Sequence, residues 1–322
     1  MARLPELDCA AEADRICTGL RDITLKSLRR RGLVVAMSGG IDSSVCAALA
    51  VRALGKERVF GLLLPERDSS NDSSKLGRML AEHLGIRTTL HDISSTLAAI
   101  GCYSALDEAM QRVLPGFGDG WKFKLVISES MAGRIGVTRV VAEDPSGNRY
   151  EHRLSAPDYL QIVAATNFKQ RVRKTLEYFH ADRLNFAVVG TPNRLEYDQG
   201  FFVKNGDGSA DVKPIAHLYK TQVYAMARHL GLPEPITSTT PTTDTFSLAQ
   251  GQDEFYFGLP YPQMDLALWH FNEGLSAAEL ARELGCDEAT AEQKYESIRA
   301  KRRTTAYLHA SPMLVVPVPE IA

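Results

Sequence analysis

The sequence predicts an α/β protein with a doubly wound, mostly parallel sheet, a β-rich insertion and a helical C-terminal part. Two observations lead to this fold class. Short apolar runs that resemble buried strands alternate with helical segments up to residue 91, and the links between them are short. Such alternation is typical of parallel strands joined by right-handed helical crossovers. At 322 residues the chain is long enough for one large domain, and we expect residues 1–322 to form a single domain.

The first third of the chain supplies the alternating elements. Apolar residues at helical spacing from Ile16 to Leu28 predict an amphipathic N-terminal helix. Strand, helix, strand, helix and strand then follow at 33–37, 43–54, 59–64, 73–84 and 86–91. Gly85 is the expected C-terminal cap of the second helix in this series. The first helix of the series therefore begins directly after a buried strand.

The middle of the chain interrupts this rhythm. Between about 116 and 157 we predict a β-rich insertion, with strands at 123–127, 137–141 and 150–154 around a turn at 144–148. A long helix is expected from about 158 to 180, followed by a strand at 186–189. Beyond Leu218 the chain is mainly helical, and we assign about 262–322 to a C-terminal helical segment.

Composition excludes several classes of function. The net charge of −2 favours neither nucleic acid nor an anionic membrane. Five scattered cysteines without a C-x-x-C pair argue against a zinc ribbon or a disulfide framework. The acidic N-terminus is unlike a signal peptide, and no apolar run reaches the roughly 20 residues of a membrane span. We therefore predict a cytoplasmic protein.

One heptapeptide at the junction of the first strand and the next helix has the composition of a phosphate-binding loop. It consists of Ser38, Gly39, Gly40, Ile41, Asp42, Ser43 and Ser44. Glycines let backbone N–H groups approach a ligand, and the helix N-terminus adds partial positive charge. The Walker A lysine is missing. A bound phosphate would repel Asp42 unless a divalent cation lay between them. Asp42 is therefore a predicted magnesium ligand.

The S-G-G-I-D-S-S pattern resembles the pyrophosphate-binding loop of the ATP pyrophosphatase (N-type) superfamily. That resemblance implies an adenine nucleotide alpha hydrolase-like fold, cleavage of ATP between its α and β phosphates, an adenylated intermediate and Mg²⁺. Further stretches in the second half of the chain look like those of NAD synthetases in order and spacing. They are N-F-K-Q-R at 167–171, V-G-T-P-N-R-L-E at 189–196, G-F-F-V-K-N-G-D-G at 200–208, L-Y-K-T-Q-V at 218–223 and P-T-T-D at 241–244.

The resemblance to NAD synthetases assigns roles to individual residues. It implies magnesium binding by Asp42 and Glu196, and ATP contacts by Thr191, Lys220 and Thr242. It implies contacts with the dinucleotide substrate by Asn167, Arg171, Lys204, Asp211 and Lys301. Asp207 matches an acidic residue near the ammonia site. We expect Asp207 and Lys220 to be the catalytic residues. Without the resemblance, we would interpret Glu196 as a solvated glutamate that caps a turn. Asp207 would be an ordinary turn aspartate, and Lys220 a solvated lysine at a helix start.

The implied reaction is the ATP-dependent amidation of the nicotinate carboxylate of deamido-NAD, with release of AMP and pyrophosphate. Only about 30 residues precede the first strand, too few for a glutaminase domain, so ammonia or a separate glutaminase is the expected nitrogen source. The resemblance also implies a homodimer. A helix-turn-helix outline near the C-terminus raises DNA binding as an alternative, but the second helix begins with acidic residues, which argue against that function.

Three positions depart from the NAD synthetase pattern. Leu63 stands where an arginine is frequent, and Arg67 is the nearby candidate to replace it. Tyr256 replaces an acidic residue, and Ala300 replaces a histidine beside Lys301. These departures leave open a paralogous ligase of the same type that amidates a different carboxylate, such as a sugar acid or a secondary metabolite. A tRNA-thiolating enzyme is disfavoured, because Cys46 and Cys102 show no paired arrangement.

Overall fold

The computed structural model describes residues 4–127, 138–238, 246–248, 251 and 259–319. Its strands are β1 (Leu33–Ala36), β2 (Val59–Leu63), β3 (Arg87–Leu90), β4 (Lys122–Ile127), β5 (Thr138–Glu143), β6 (Arg149–Arg153) and β7 (Ala187–Val188). Its α-helices are α1 (Cys9–Arg21), α2 (Ile41–Leu54), α3 (Asn71–Leu84), α4 (Ser94–Ala99), α5 (Cys102–Val113), α6 (Ala156–Leu184), α7 (Arg194–Gln199), α8 (Lys220–His229), α9 (Glu234–Thr237), α10 (Tyr261–Asn272), α11 (Ala277–Leu284) and α12 (Glu288–His309). No helix in these ranges is long and apolar enough to cross a membrane.

The main sheet is parallel and has the strand order β3-β2-β1-β7. The chain progresses outward from β1 to β3 and then returns to place β7 on the other side of β1. The order therefore reverses between β1 and β7. In open α/β sheets such a reversal creates a crevice at the carboxyl ends of the two strands, where ligands bind. The loops after β1 and β7 both leave from this crevice.

Helices cover both faces of the sheet. On one face, α2 packs against β1, and α1 and α8 pack against α2, with Val45 and Leu49 of α2 fully inaccessible. On the other face, α4, α5 and the C-terminal half of α6 pack against Val34, Leu62 and Val188. The predicted doubly wound α/β fold is confirmed, and each face stabilises the sheet by removing apolar surface from water.

The insertion forms a separate antiparallel sheet with the order β4-β5-β6. Its buried face, with Phe123, Leu125 and Val140, packs against α5 and the N-terminal half of α6. The predicted β-rich insertion is therefore confirmed. The insertion packs against the long helix α6, which lines the crevice of the main sheet.

Three details differ from the sequence prediction. The N-terminal helix ends at Arg21 and continues as a π-helical segment over Asp22–Ser27. The long helix is six residues longer than predicted, because it extends by two residues before 158 and by four after 180. The helices α4 and α5 occupy a stretch for which the sequence pattern predicted no element.

In the helical C-terminal part, α10, α11 and α12 share an apolar core that includes Leu268, Leu280 and Ile298.

Candidate functional site

The loop between β1 and α2 is shaped by its glycines and serines. Gly39 has a φ of +79°, and a Cβ there would lie 2.6 Å from the Ser73 carbonyl oxygen. Gly40 is the N-cap of α2, and its carbonyl oxygen accepts hydrogen bonds from the hydroxyls of Ser43 (3.1 Å) and Ser44 (2.8 Å). Because Gly40 has no side chain, no side-chain hydrogen bond closes this helix end. The N-terminal amides of α2 therefore face the crevice as an anion-binding group.

Asp42, in the first turn of α2, is held from two sides. The amine of Lys220 donates a hydrogen bond to Oδ2 of Asp42, and the Asn193 side-chain amide donates to Oδ1 at 3.0 Å. Lys220 is only 1% exposed. Its burial opposes the charged form, but the carboxylates of Asp42 and Glu196 outweigh that effect and raise the pKa of Lys220. The lysine is therefore a fixed cation at the edge of the phosphate-binding loop.

Glu196 lies in the first turn of α7, directly after the β7 loop. It forms a capping box with Asn193: the Asn193 N–H donates to Oε2 of Glu196 at 3.0 Å, and the Glu196 N–H donates to Oδ1 of Asn193 at 3.1 Å. Burial and the nearby Asp42 carboxylate raise the pKa of Glu196 to about 8. Asn193 thus joins the two predicted magnesium ligands, and its role was not predicted from the sequence.

The two carboxylates beside Lys220 fit a divalent cation. Two carboxylates, those of Asp42 and Glu196, stand against the one cation of Lys220, and burial together with the Asp42 charge raises the pKa of Glu196. Carboxylate oxygens are ligands that Mg²⁺ prefers. Within the described ranges no third His, Cys, Asp or Glu side chain joins them in a metal-binding group. Mg²⁺ commonly binds in this way, through one or two carboxylates with nucleotide phosphates and water as the other ligands.

Asp265 of α10 holds the start of α8 in place. Its carboxylate accepts hydrogen bonds from the Lys220 N–H (3.2 Å), the Thr221 N–H (2.7 Å) and the Thr221 hydroxyl (2.8 Å). Burial raises the pKa of Asp265 to about 6 despite these donors. Asp265 positions the backbone from which the Lys220 side chain extends toward Asp42.

The loop and Lys220 form one wall of a cavity of about 480 Å³, and α6 forms another. From α6, the side chains of Asn167, Gln170, Arg173, Lys174 and Glu177 line it. The cavity also includes Thr191, Glu196 and Asp207. The structure therefore brings together Ser38–Ser43, Asn167, Thr191, Glu196, Asp207 and Lys220 from the predicted set.

Asp207 is fixed within its turn. Its Oδ1 accepts a hydrogen bond from the Val203 N–H at 2.8 Å, as a turn aspartate does, and burial raises the pKa of its carboxyl. It also borders the cavity. The turn and the cavity roles are therefore both compatible with its position.

Other predicted substrate contacts lie outside the cavity lining. Arg171 donates to the Lys204 carbonyl oxygen at 3.3 Å, and Lys204 donates to the carbonyl oxygens of Tyr307 (2.6 Å) and Ala310 at the end of α12. Asp211 accepts from the Val188 N–H at 2.7 Å. Lys301 lies on α12, where burial lowers its pKa to about 8. Their substrate roles stay predictions.

Of the remaining positions, Thr242 and Tyr256 lie outside the described residues. Arg67, the candidate replacement for an arginine at position 63, stacks its guanidinium 3.9 Å from the centre of the Tyr103 ring and does not line the cavity. Ala300 and Lys301 lie on α12, away from the lining.

Three charged residues of the cavity were missed by sequence reasoning. Arg173 donates to the Leu64 carbonyl oxygen (3.2 Å) and to the Ser69 hydroxyl (3.3 Å). Lys174 donates to Oε2 of Glu177 at 2.6 Å, and both are almost fully buried. In the sequence this pair resembles an ordinary i, i+3 ion pair on a solvated helix face. The one feature of the sequence that could have indicated the pair is its position shortly after the N-F-K-Q-R stretch at 167–171.

Comparison with known sequences finds relatives over most of the chain. A sequence profile of the NAD synthase family matches residues 12–114 and 143–307. The chain is 56% identical over 317 residues to an NH(3)-dependent NAD(+) synthetase of Rhizobium meliloti, covering 98% of this chain and 95% of the relative. It is 39% identical over 252 residues to the protein of the same name from Thermotoga maritima, covering 76% and 83%.

Solved structures show the same fold. The NAD+ synthetase of Burkholderia pseudomallei is 26% identical, with a TM-score of 0.58 over 94% of this chain and 92% of that one. The NH3-dependent NAD synthetase of Campylobacter jejuni has a TM-score of 0.63 over 96% of this chain and all of that one, at 22% identity. The unmatched range of the family profile, 115–142, includes β4 and all of β5 except Glu143. Most of the small antiparallel sheet therefore lies outside the ranges that the profile matches.

Proposed function

The chain belongs to the NAD synthase family, and we propose that it is an ammonia-dependent ligase that converts deamido-NAD to NAD. ATP activates the nicotinate carboxylate by adenylation, pyrophosphate leaves, and ammonia then displaces AMP. One observation supports this most directly. The same cavity is lined by the phosphate-binding loop, the Asp42–Lys220 pair and the polar side of α6.

The side chains of the cavity divide the work of adenylation. The amides at the start of α2 and the Lys220 ammonium attract the phosphates of ATP, and they stabilise negative charge that grows on the leaving pyrophosphate. Asn193 and Asp265 keep this arrangement rigid, one through the Asp42 carboxylate and one through the backbone of α8. No protein nucleophile is required, because orientation and electrostatic stabilisation account for the chemistry.

Asp42 and Glu196 are the proposed ligands of Mg²⁺. Two carboxylates with oxygen donors stand here against one cation, Lys220, and this donor set fits the ion. When bound, Mg²⁺ would neutralise charge on the phosphates of ATP. Lys220 then provides the second positive charge on the same side of the cavity.

Further parts of the proposal rest on the family resemblance. We propose a homodimer in the cytoplasm, supplied with free ammonia or by a separate glutaminase. Dissociation to monomers at working concentration, measured by sedimentation, would contradict the dimer.

The experiment that tests the function measures AMP release from ATP with deamido-NAD and ammonium. We expect release to depend on both, and a panel of other carboxylates, including sugar acids, to give little. Correctly folded protein that turns over another carboxylate and not deamido-NAD would support the paralogous ligase instead. Asp42→Ala is expected to abolish AMP release. Asp72→Ala is a matched control, because Asp72 occupies the first turn of α3 but is exposed.

A further inference from the structure

The edge of the main sheet opposite the crevice carries a group of arginines that the proposed reaction does not use. Parallel pairing aligns the amino ends of β1, β2, β3 and β7 along this edge. Arginines stand at or shortly before the start of each strand. All six are exposed, and we call them the basic rim: Arg29, Arg30, Arg31, Arg58, Arg87 and Arg183.

Short contacts between neighbouring strand starts hold the basic rim together. Before β1, the Arg31 N–H donates to the Asn185 carbonyl oxygen at 2.8 Å, and the Arg30 guanidinium donates to the Asn185 side-chain oxygen at 2.9 Å. Asn185 shortly precedes β7. At the other end of the row, the Arg87 guanidinium donates to the Glu57 carbonyl oxygen at 3.4 Å. The row therefore spans four neighbouring strands, about 14 Å across.

The positive charge of the basic rim is not neutralised by other groups in the described part of the chain. None of the six guanidinium groups forms an ion pair there, whereas Lys26, shortly before them in the sequence, pairs with Asp22 at 2.8 Å. Two exposed carboxylates, Glu57 and Asp182, are sequence neighbours of rim arginines, and neither pairs with them. The rim therefore has an excess of guanidinium groups, which bind phosphate oxygens through paired hydrogen bonds.

Two exposed aliphatic side chains adjoin the basic rim. The Arg30 N–H donates to the Thr24 carbonyl oxygen at 2.8 Å, which places the π-helical segment Asp22–Ser27 against the rim. Ile23 and Leu25 flank Thr24 in this segment, and each is 38% exposed. Apolar side chains beside a cluster of cations are typical of protein surfaces that lie in the headgroup region of a membrane.

Both lipid headgroups and nucleic acids carry phosphates that arginines bind, and two features favour lipid. Ile23 and Leu25 can enter the acyl boundary of a bilayer, whereas a nucleic acid backbone offers them no apolar contact. The rim also presents its arginines in a row from strand starts and short links. The major groove of duplex DNA admits a projecting helix or β-ribbon instead.

We propose that the basic rim, together with Ile23 and Leu25, binds the surface of an anionic lipid bilayer. The crevice then faces away from the lipid, because it lies at the carboxyl ends of the same strands. β1 and β2 have four and five residues, so the two edges are about 13–16 Å apart. The membrane-bound protein keeps its cavity open to its substrates. The proposal concerns a different face of the molecule and does not depend on the reaction.

The test measures co-sedimentation of the protein with vesicles. We expect wild type to bind vesicles of phosphatidylglycerol and phosphatidylcholine in equal parts, and not vesicles of phosphatidylcholine alone. The variant that combines Arg29→Gln, Arg31→Gln and Arg58→Gln removes three guanidinium groups that have no side-chain partner in the described ranges. Its partition onto the anionic vesicles is expected to fall about a hundredfold, since each cation near a membrane surface contributes about a fivefold gain.

A second triple variant controls for net charge. It combines Lys122→Gln, Arg153→Gln and Arg303→Gln, which remove three exposed cations away from the basic rim. Its partition is expected to stay within about threefold of wild type. Circular dichroism and ATP–pyrophosphate exchange, which reports adenylation, should be unchanged in both variants, so that a lost affinity is separated from lost folding.

The apolar pair has its own test. Ile23→Ser with Leu25→Ser should lower partition onto the anionic vesicles by about tenfold, because two partly exposed apolar side chains no longer enter the lipid. Leu160→Ser is the control, since Leu160 is also exposed but lies on α6. Its partition should match that of wild type.

Three outcomes would overturn the proposal. The first is wild-type protein that does not bind the anionic vesicles. The second is an equal loss in the two triple variants, which would show that net charge alone drives binding. The third is single-stranded RNA that binds as tightly as the vesicles, depends on the rim arginines and is unaffected by the serine substitutions. That result would assign the basic rim to nucleic acid.

Discussion

The amine of Lys220, at the start of α8, donates a hydrogen bond to the carboxylate of Asp42, at the start of α2. The two residues are 178 positions apart in the chain. Their contact joins the phosphate-binding loop to the second half of the sequence. It also places a buried positive charge beside the amides that face the crevice, so we expect the two elements to act on the same phosphates of ATP.

Lys220→Met is expected to lower the rate of ATP–pyrophosphate exchange by about a hundredfold to a thousandfold, the usual loss when one preorganised charge-stabilising group is removed. The substitution leaves Asp42 buried without its lysine, so stability will also fall. Circular dichroism should therefore accompany the kinetics. Lys220→Arg keeps the charge but changes its shape, and should retain more activity than Met. Exchange within threefold of wild type in a folded Met variant would contradict the role of Lys220.

Glu196→Gln is expected to weaken the stabilisation of the protein by Mg²⁺. Wild-type protein with a non-hydrolysable ATP analogue should show a higher unfolding temperature when Mg²⁺ is added, because ligands that bind the folded state stabilise it. The variant should show a smaller shift. Glu279→Gln is the control, since Glu279 occupies the same third position in the capping box of α11 but is partly exposed and does not line the cavity. Equal shifts in both variants would exclude Glu196 as a ligand.

The elements around the loop could be predicted because local rules determine them. Short apolar runs predicted the strands β1, β2, β3 and β7. Gly85 was the expected C-terminal cap of α3, and it caps this helix with a φ of +64°. The capping box of α11 was also predictable from its Ser276 and Glu279. In each case the residues that decide the structure are neighbours in the sequence.

The parts of the site that escaped prediction depend on tertiary burial. Lys174 and Glu177 have the spacing of a surface pair, and only the packing of α6 against the crevice makes them cavity residues. The hydrogen bond from the Lys204 amine to the Tyr307 carbonyl oxygen in α12 joins residues more than 100 positions apart. No local pattern in the sequence indicates such contacts.

The buried carboxyl of Asp265 should give the protein a characteristic pH dependence. Its pKa of about 6 in the folded protein exceeds the ordinary aspartate value of 3.8. The folded state therefore retains a proton that the unfolded state has lost. The stability that this group contributes is full below pH 3.8 and is lost as the pH rises through 6.

Asp265→Asn removes this titration. The free energy of unfolding of wild type, minus that of the variant, should fall between about pH 4 and pH 6 and then level off. Urea denaturation across this range measures the difference. A difference that stays constant or grows with pH would contradict the raised pKa. Because both proteins share all other titrating groups, the comparison isolates Asp265.

Lys169 links α6 to the loop after β2 through a buried ionic cluster. Its amine donates to Glu66 at 3.0 Å and to Asp68 at 2.7 Å, and the Tyr103 hydroxyl donates to Glu66 at 2.9 Å. Lys169→Met should destabilise the protein by about 3–5 kcal/mol, because it leaves the buried carboxylate of Glu66 without its cation. Lys75→Met is the control, since Lys75 pairs with Asp72 at an exposed site. Similar denaturation midpoints for the two variants would show that the cluster contributes little.

Gly200 lines the cavity and lies against the C-terminal helix α12. It has a φ of +69°, and a Cβ there would lie 2.3 Å from the Cβ of Thr305 in α12. Gly274 has nearly the same φ, +70°, but a Cβ there would meet nothing within 4 Å. Alanine at the two positions therefore separates backbone strain from the steric clash.

Gly274→Ala should cost about 1–2 kcal/mol, the strain of a left-handed conformation in a residue with a side chain. Gly200→Ala carries the same strain and must also displace α12, so its loss of stability should be clearly larger. Since Gly200 and the phenylalanines after it line the cavity, this variant should also raise the KM for deamido-NAD, which Gly274→Ala should leave unchanged. Urea denaturation and steady-state kinetics on both variants test this. Equal effects would mean that α12 moves away without cost, and that the C-terminal helix does not shape the cavity.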